Sequence, residues 1–134
     1  MRVQRRVEWS DTDASGIHHN TFVVRLAEAA EQALWRRLGH RDTTMFVPRA
    51  RIEVDFLRPL RAGDLVDGEI AIEEMGRTSV TFRFEARCDG EKVAEARIVG
   101  VLVSAETWKP VPWPDGAKEQ LLGAGPQRPE LLSD

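Results

Sequence analysis

Asp11-Thr12-Asp13-Ala14-Ser15-Gly16, followed by Ile17-His18-His19-Asn20 and an apolar-periodic stretch from Thr21, carries the strongest structural signal in the chain. Ahead of it, Val3, Val7 and Trp9 share one side of a period-2 pattern against Gln4, Arg6 and Glu8. That alternation predicts a half-buried strand over 2–9. Behind it, Phe22, Val23, Leu26, Ala30, Ala33, Leu34 and Leu38 recur at three- and four-residue spacing. This predicts one long helix over 20–38, with Asn20 or Thr21 as N-cap and Gly39 as the C′ residue. A strand running into an acidic loop and then a helix puts an ionisable carboxylate beside a helix N-terminus. Unpaired N–H groups and the positive end of the dipole can polarise a carbonyl oxygen there, while the carboxylate attacks or directs water. The order implies carbonyl hydrolysis.

The rest of the chain reads as β. Ile52, Val54 and Phe56 alternate with Arg51, Glu53 and Asp55, and Arg58-Pro59 and the Gly63-Asp64 turn close that strand. A strand over 65–74 carries Val66, Gly68, Ile70 and Ile72 on one side. The next sets Val80, Phe82, Phe84, Ala86 and Cys88 against Ser79, Thr81, Arg83, Glu85 and Arg87. Asp89-Gly90 signals a type I′ hairpin into a strand over 91–104. Its run Ile98-Val99-Gly100-Val101-Leu102-Val103 is apolar on both sides, which implies cover on both faces, from a second subunit in preference to the tail. Trp108-Lys109-Pro110-Val111-Pro112-Trp113-Pro114 is too proline-interrupted for an inner strand and is expected to pack loosely through its two tryptophans. Residues 117–122 read as a further short helix, and the stretch from Gly123 as mobile. The division is thus a domain over 1–106 and a partly mobile tail over 107–134.

Composition narrows the function classes. At 134 residues, 42% hydrophobic, 31% charged and net charge -3, the chain reads as one soluble domain without the basic excess that nucleic acid demands. No stretch has the length of a membrane span and no signal-peptide run follows Met1, so membrane partners are not expected and a cytoplasmic location is. The lone Cys88 sits in an alternating strand, suiting a small buried hydrophobe better than a nucleophile.

The order strand, D-x-D-x-x-G loop, long helix and four strands resembles the hotdog fold, and within it the 4-hydroxybenzoyl-CoA thioesterase-like acyl-CoA hydrolases. The resemblance covers roughly residues 3–104 and includes Gly63-Asp64 and Gly76-Arg77-Thr78-Ser79. It implies an α+β architecture, one long central helix wrapped by an antiparallel sheet of five or so strands. It also implies thioester hydrolysis, with an acyl-CoA or acyl-carrier thioester as substrate, and a homodimer or homotetramer with its active site at the seam between subunits. Family members often carry a tyrosine just after the glycine. This chain has no tyrosine, and His18-His19-Asn20 fills that segment.

In that family the loop aspartate is functional, which puts Asp13 in the role of nucleophile or general base, with backbone N–H groups around His19 to Thr21 holding the oxyanion. The departing thiol, with a pKa of about 8.5, needs little help from an acid. Read without the family, Asp13 equally suits an Asx-turn that shapes the loop. Asp11 is assigned to loop hydrogen bonding. The catalytic candidates are Asp13, His19 and Asn20; Gly16, His18, Thr21, Arg58 and Arg77 are candidates for substrate contact, the two arginines for phosphate. Glu28 on the helix is a reserve carboxylate, its alternative a charge paired with Arg25, or with Gln32 and solvent. Adjacent histidines seldom share an ion and no second cluster exists, so neither metal nor other cofactor is expected. Two alternatives stand beside hydrolysis. One is a non-catalytic acyl-binding dimer, and the other a hydroxyacyl-thioester dehydratase using His18 or His19 with Glu28.

Overall fold

The computed structural model describes residues 1–38 and 45–123, and the backbone of 130–131. Its elements in chain order are β1 (Arg2–Arg6), a 3-10 turn (Trp9–Asp11), α1 (Thr21–Arg37), β2 (Met45–Phe46), β3 (Arg49–Phe56), β4 (Leu65–Met75), β5 (Ser79–Cys88), β6 (Glu91–Val101), β7 (Val103–Ser104), α2 (Ala117–Leu122) and β8 (Glu130–Leu131). The main sheet runs β3-β6-β5-β4-β1, all antiparallel, and β8 adds a parallel strand beyond β1. β2 and β7 form a separate pair.

The helix lies on one face of this sheet because its apolar stripe matches the sheet's inner rows. Phe22, Val23, Leu26, Ala27, Ala30, Ala33 and Leu34 are all buried. They face rows set by the register, such as Ile70–Phe84–Ala96–Val54 and Ile72–Phe82–Ile98–Ile52. Gly68 is where helix and sheet approach most closely. A Cβ there would stand 2.9 Å from the Phe84 ring and 3.3 Å from Leu26 Cδ2. The opposite face carries Arg83, Glu85, Lys92 and Glu95 in one chain of ion pairs and Arg97 with Glu73 in another pair, which keeps it in water. Asp89 and Gly90 both take positive φ, 51° and 80°, as a type I′ hairpin requires. Cys88 is buried, and burial pushes its thiol up from its ordinary value.

Three expectations need correction. Val3 and Val7 are buried but Trp9 is 85% exposed, because the chain leaves the sheet at Arg6 and winds into the 3-10 turn. The strand expected over 91–104 ends at Val101; Val103–Ser104 cross to pair with β2, so part of the doubly apolar run belongs to a crossing. The tail packs at the Leu102 end of that run, on the helix side, and leaves Val99 and Val101 half-buried. Val111 N–H donates to Leu102 O, Trp113 Nε1–H donates to Ser79 O, and Trp113 stacks on Trp35 with centroids 6.5 Å apart. Arg25 pairs with Asp11 and not with Glu28. The expectations at Gly39, and most of that for the stretch from Gly123, fall outside the described residues.

β3 is an edge. Among the described residues nothing pairs with its outer side, and its inward row projects past the helix, leaving Ile52 39% and Phe56 48% exposed.

Candidate active site

Asp11 and Asp13, two residues apart, have opposite surroundings. Asp11 is 2% exposed. Its Oδ2 accepts the Glu8 N–H at 2.9 Å, its Oδ1 accepts Arg25 Nη2–H at 2.9 Å, and Arg5 lies 3.7 Å away. It therefore fastens the loop to both β1 and α1, and its backbone carbonyl takes the His19 N–H at 2.7 Å. Asp13 stands exposed at the loop's tip. Its Oδ1 accepts the Ser15 N–H at 2.8 Å and the Ser15 hydroxyl, while no described group bonds Oδ2. The Ser15 hydroxyl and N–H together hold the carboxyl below its ordinary value. The Asx-turn geometry is present, and it leaves one carboxylate oxygen open.

The start of α1 leaves one N–H open too. Of the three backbone donors expected to serve an oxyanion, His19 N–H is taken by Asp11 O, and Thr21 N–H by His19 Nδ1 at 3.2 Å. Asn20 N–H has no partner among the described residues. Asn20 itself is helical, with φ -55° and ψ -26°, and its side chain makes no cap bond. The cap is the His19 ring, whose Nδ1 also lies 2.8 Å from Thr21 Oγ1. His19 and Thr21 therefore order the helix start by bonding each other, a role the sequence pattern had given to Asn20 or Thr21.

Asp13, His18, His19 and Asn20 line one cleft of about 490 Å³, whose other wall is Phe56, Leu57, Arg58 and Pro59 at the end of β3. His18 is 7% exposed. Its N–H donates to Leu60 O, and its Nδ1 accepts the Leu60 N–H at 3.0 Å, which leaves the ring proton on Nε2. Burial holds it below its ordinary 6.5, so the ring stays neutral between Phe22 and Phe56, whose centroids lie 6.3 and 6.0 Å away. This bridge to Leu60 spans 42 residues and has no local sequence signal. Of the two adjacent histidines only His19 is exposed to solvent.

The remaining candidates fall elsewhere. Gly16, with φ 79°, lines a second cleft on the other side of Asp13. Arg58 lines the first cleft but is paired with Glu91. Arg77 sits in the β4–β5 turn, separated from the Asp64 end of the sheet by the length of β4, about 33 Å at ~3.3 Å per residue. Glu28 is half-buried and does not line the cleft. Its neighbour Glu31 went unmarked in the sequence. It is 3% exposed and bonded to Trp35 Nε1–H at 3.0 Å and to Arg49. Among the described residues no three His, Cys, Asp or Glu side chains converge on a point, and no helix is long and apolar enough to cross a membrane.

One long helix held against a five-strand antiparallel sheet is the hotdog architecture, and the relatives below make the chain a thioester hydrolase. The chain belongs to the thioesterase-like superfamily, whose family profile matches residues 7–121. It is 26% identical to a 1,4-dihydroxy-2-naphthoyl-CoA hydrolase of Prochlorococcus marinus (strain MIT 9303), over 93% of this chain and 91% of that one. Two solved structures share the fold. A thioesterase-superfamily protein from Jannaschia sp. CCS1 superposes with TM-score 0.85 at 24% identity, over 95% of this chain and 94% of that one. A 1,4-dihydroxy-2-naphthoyl-CoA thioesterase from Synechocystis does so with TM-score 0.82 at 16% identity, over 92% and 96%.

Proposed function

We propose that the chain is an acyl-CoA thioesterase for aromatic acyl groups, with Asp13 as nucleophile and the Asn20 N–H as oxyanion donor. The observation that carries this is the coincidence of one open carboxylate oxygen and one unpartnered helix-start N–H on the wall of a single cleft. Asp13 Oδ2 would bond to the thioester carbonyl carbon, and the C–S bond breaks to release a thiolate that needs no acid. Water then cleaves the mixed anhydride, freeing the acid and restoring the carboxylate. The hydrogen bonds from Ser15 hold the carboxyl below its usual range, so it is ionised and ready for attack at neutral pH.

The aromatic preference is supported by the flat walls of His18, Phe56 and Pro59 and by relatives named for 1,4-dihydroxy-2-naphthoyl-CoA. The open edge of β3 supports a homodimer. A second copy there would bury Ile52, Phe56 and Leu57. The test is hydrolysis across short, long and aromatic acyl-CoAs by wild type and Asp13→Asn. Aromatic thioesters should turn over fastest, and the variant should lose about a hundredfold or more in kcat/KM. Turnover surviving in Asp13→Asn would overturn the assignment.

A further inference from the structure

The start of α1 offers a thioester oxygen one open backbone donor, the Asn20 N–H, because the His19 and Thr21 N–H groups are taken within the loop. An oxyanion has room for more than one hydrogen bond, and acyl-transfer sites commonly aim two donors at it. A second donor lies two residues away. His18 is 7% exposed, and its Nδ1 is used in accepting the Leu60 N–H, which puts the Nε2–H on the far side of the ring. No described residue accepts that N–H. Among the described residues, the one side-chain nitrogen or oxygen that is both shut off from solvent and without a partner is Arg49 Nε. The His18 Nε2–H, also without a partner, therefore opens onto the cleft that the ring lines with Asp13 and Asn20. Burial governs the titration of this ring, but the Asp13 charge is near enough to be felt there. The Leu60 bond and the flanking Phe22 and Phe56 rings fix the imidazole plane, so the donor is already oriented when charge develops.

We propose that the His18 Nε2–H is the second oxyanion donor, meeting the thioester oxygen together with the Asn20 N–H. This rests on the thioesterase reading above. As Asp13 Oδ2 bonds to the carbonyl carbon, the C=O pair moves onto oxygen and the two N–H groups receive it. When the pair returns, the C–S bond breaks and the thiolate leaves. The same oxygen gains charge again when water adds to that carbon and gives a proton to solvent, and the adduct collapses with the Asp13 carboxylate as leaving group. A neutral imidazole holds its Nε2 proton, so His18 donates a hydrogen bond throughout and acts as neither acid nor base.

Two substitutions separate the donor from the Leu60 bridge. Asparagine keeps an acceptor where Nδ1 stands and lacks the far nitrogen, whereas glutamine reaches the far position with an amide N–H. With benzoyl-CoA and a hydroxybenzoyl-CoA, His18→Asn should lose about a hundredfold in kcat with KM within about threefold of wild type. His18→Gln should regain about tenfold of that loss. A role confined to the Leu60 bridge gives the reverse order, with His18→Asn the more active, and overturns the proposal. A loss in KM alone, or for the hydroxylated substrate alone, directs the donor to the acyl ring and overturns it equally. Both changes thin the packing between Phe22 and Phe56, so a second measurement uses wild type, its histidines isotopically labelled for proton NMR. A coenzyme A ketone, with a methylene in place of the thioester sulfur, presents the carbonyl without turnover. The His18 Nε2–H resonance should move downfield as the ketone saturates the site, and a resonance that stays in place overturns the proposal. Turnover absent in wild type, or surviving in Asp13→Asn, fails the thioesterase reading and this proposal with it. Turnover lost in Asp13→Asn but kept in His18→Asn fails this proposal alone.

Discussion

The two ends of α1 handle charge in opposite ways. At the C-terminal half, Glu31 is buried and both its oxygens are bonded, to Trp35 and Arg49, beside a cleft of about 340 Å³ that the stacked Trp35 and Trp113 help to line. At the N-terminus, Asp13 is exposed, and among the described residues one of its oxygens and the Asn20 N–H have no partner. A buried unpaired polar group costs about 1–3 kcal/mol, so a fold keeps its polar groups paired where water is excluded. Groups left open beside a cleft keep their bonding capacity for a ligand. Polar groups at one end of the helix are spent on the fold and at the other are held ready.

The sharpest way to break this contrast is to delete the open donor. The backbone of Asn20 already has the φ that proline requires, and its N–H supports no helix bond, so Asn20→Pro removes one hydrogen and little else. Loss of a single oxyanion donor costs about a hundredfold in kcat. Asn20→Ala, which keeps the N–H and removes a side chain that caps nothing, should fall less than about threefold. Equal losses in the two variants would transfer the role from the backbone to the side chain.

The converse change is at Glu31. Glu31→Ala should leave the thioesterase site intact but destabilise the fold by about 2 kcal/mol in urea titration, because Arg49 and Trp35 lose a buried acceptor. Arg49 keeps part of its side chain in solvent, which holds the cost below that of a fully buried pair. There is also a pH signature. Burial raises Glu31 above its ordinary 4.5, so the folded chain holds a proton that the unfolded chain has already released. Stability from this group is full below about 4.5 and falls as pH rises toward the raised folded value. Glu31→Gln should flatten that slope, and a slope unchanged in the variant would place its origin elsewhere.

Legibility followed range. The helix, the hairpin at Asp89-Gly90 and the buried row from Val80 to Cys88 come from periods of two and 3.6 residues and from turn chemistry within a few positions. Asp13 and the helix start were legible because the loop connects them directly. The Glu31–Arg49 pair spans 18 residues and the His18–Leu60 bridge 42, and no local pattern encodes partners at that distance. Trp9 misled for a related reason. Alternation continues through it in sequence, but Asp11 draws the backbone into a tight turn by accepting the Glu8 N–H, and the indole swings to the outside. The run from Ile98 to Val103 has two faces because it serves two sheets.

The smallest expected effect probes Asp13 directly. Ser15 lowers the Asp13 pKa through its hydroxyl first and its N–H second. Removing the hydroxyl in Ser15→Ala therefore lifts the folded value part of the way back, and the remaining N–H keeps it below the ordinary carboxylate range. If ionised Asp13 is the attacking group, kcat/KM falls on the acid side through this pKa, and the variant's acid limb moves to higher pH while the plateau is kept. His18 is the other group on this cleft held low, below 6.5 by burial and not by Ser15. An acid limb indifferent to Ser15→Ala and displaced by His18→Gln would make the imidazole the titrating group. The open carboxylate at the helix start would then be, like the closed one at the other end, a part of the fold.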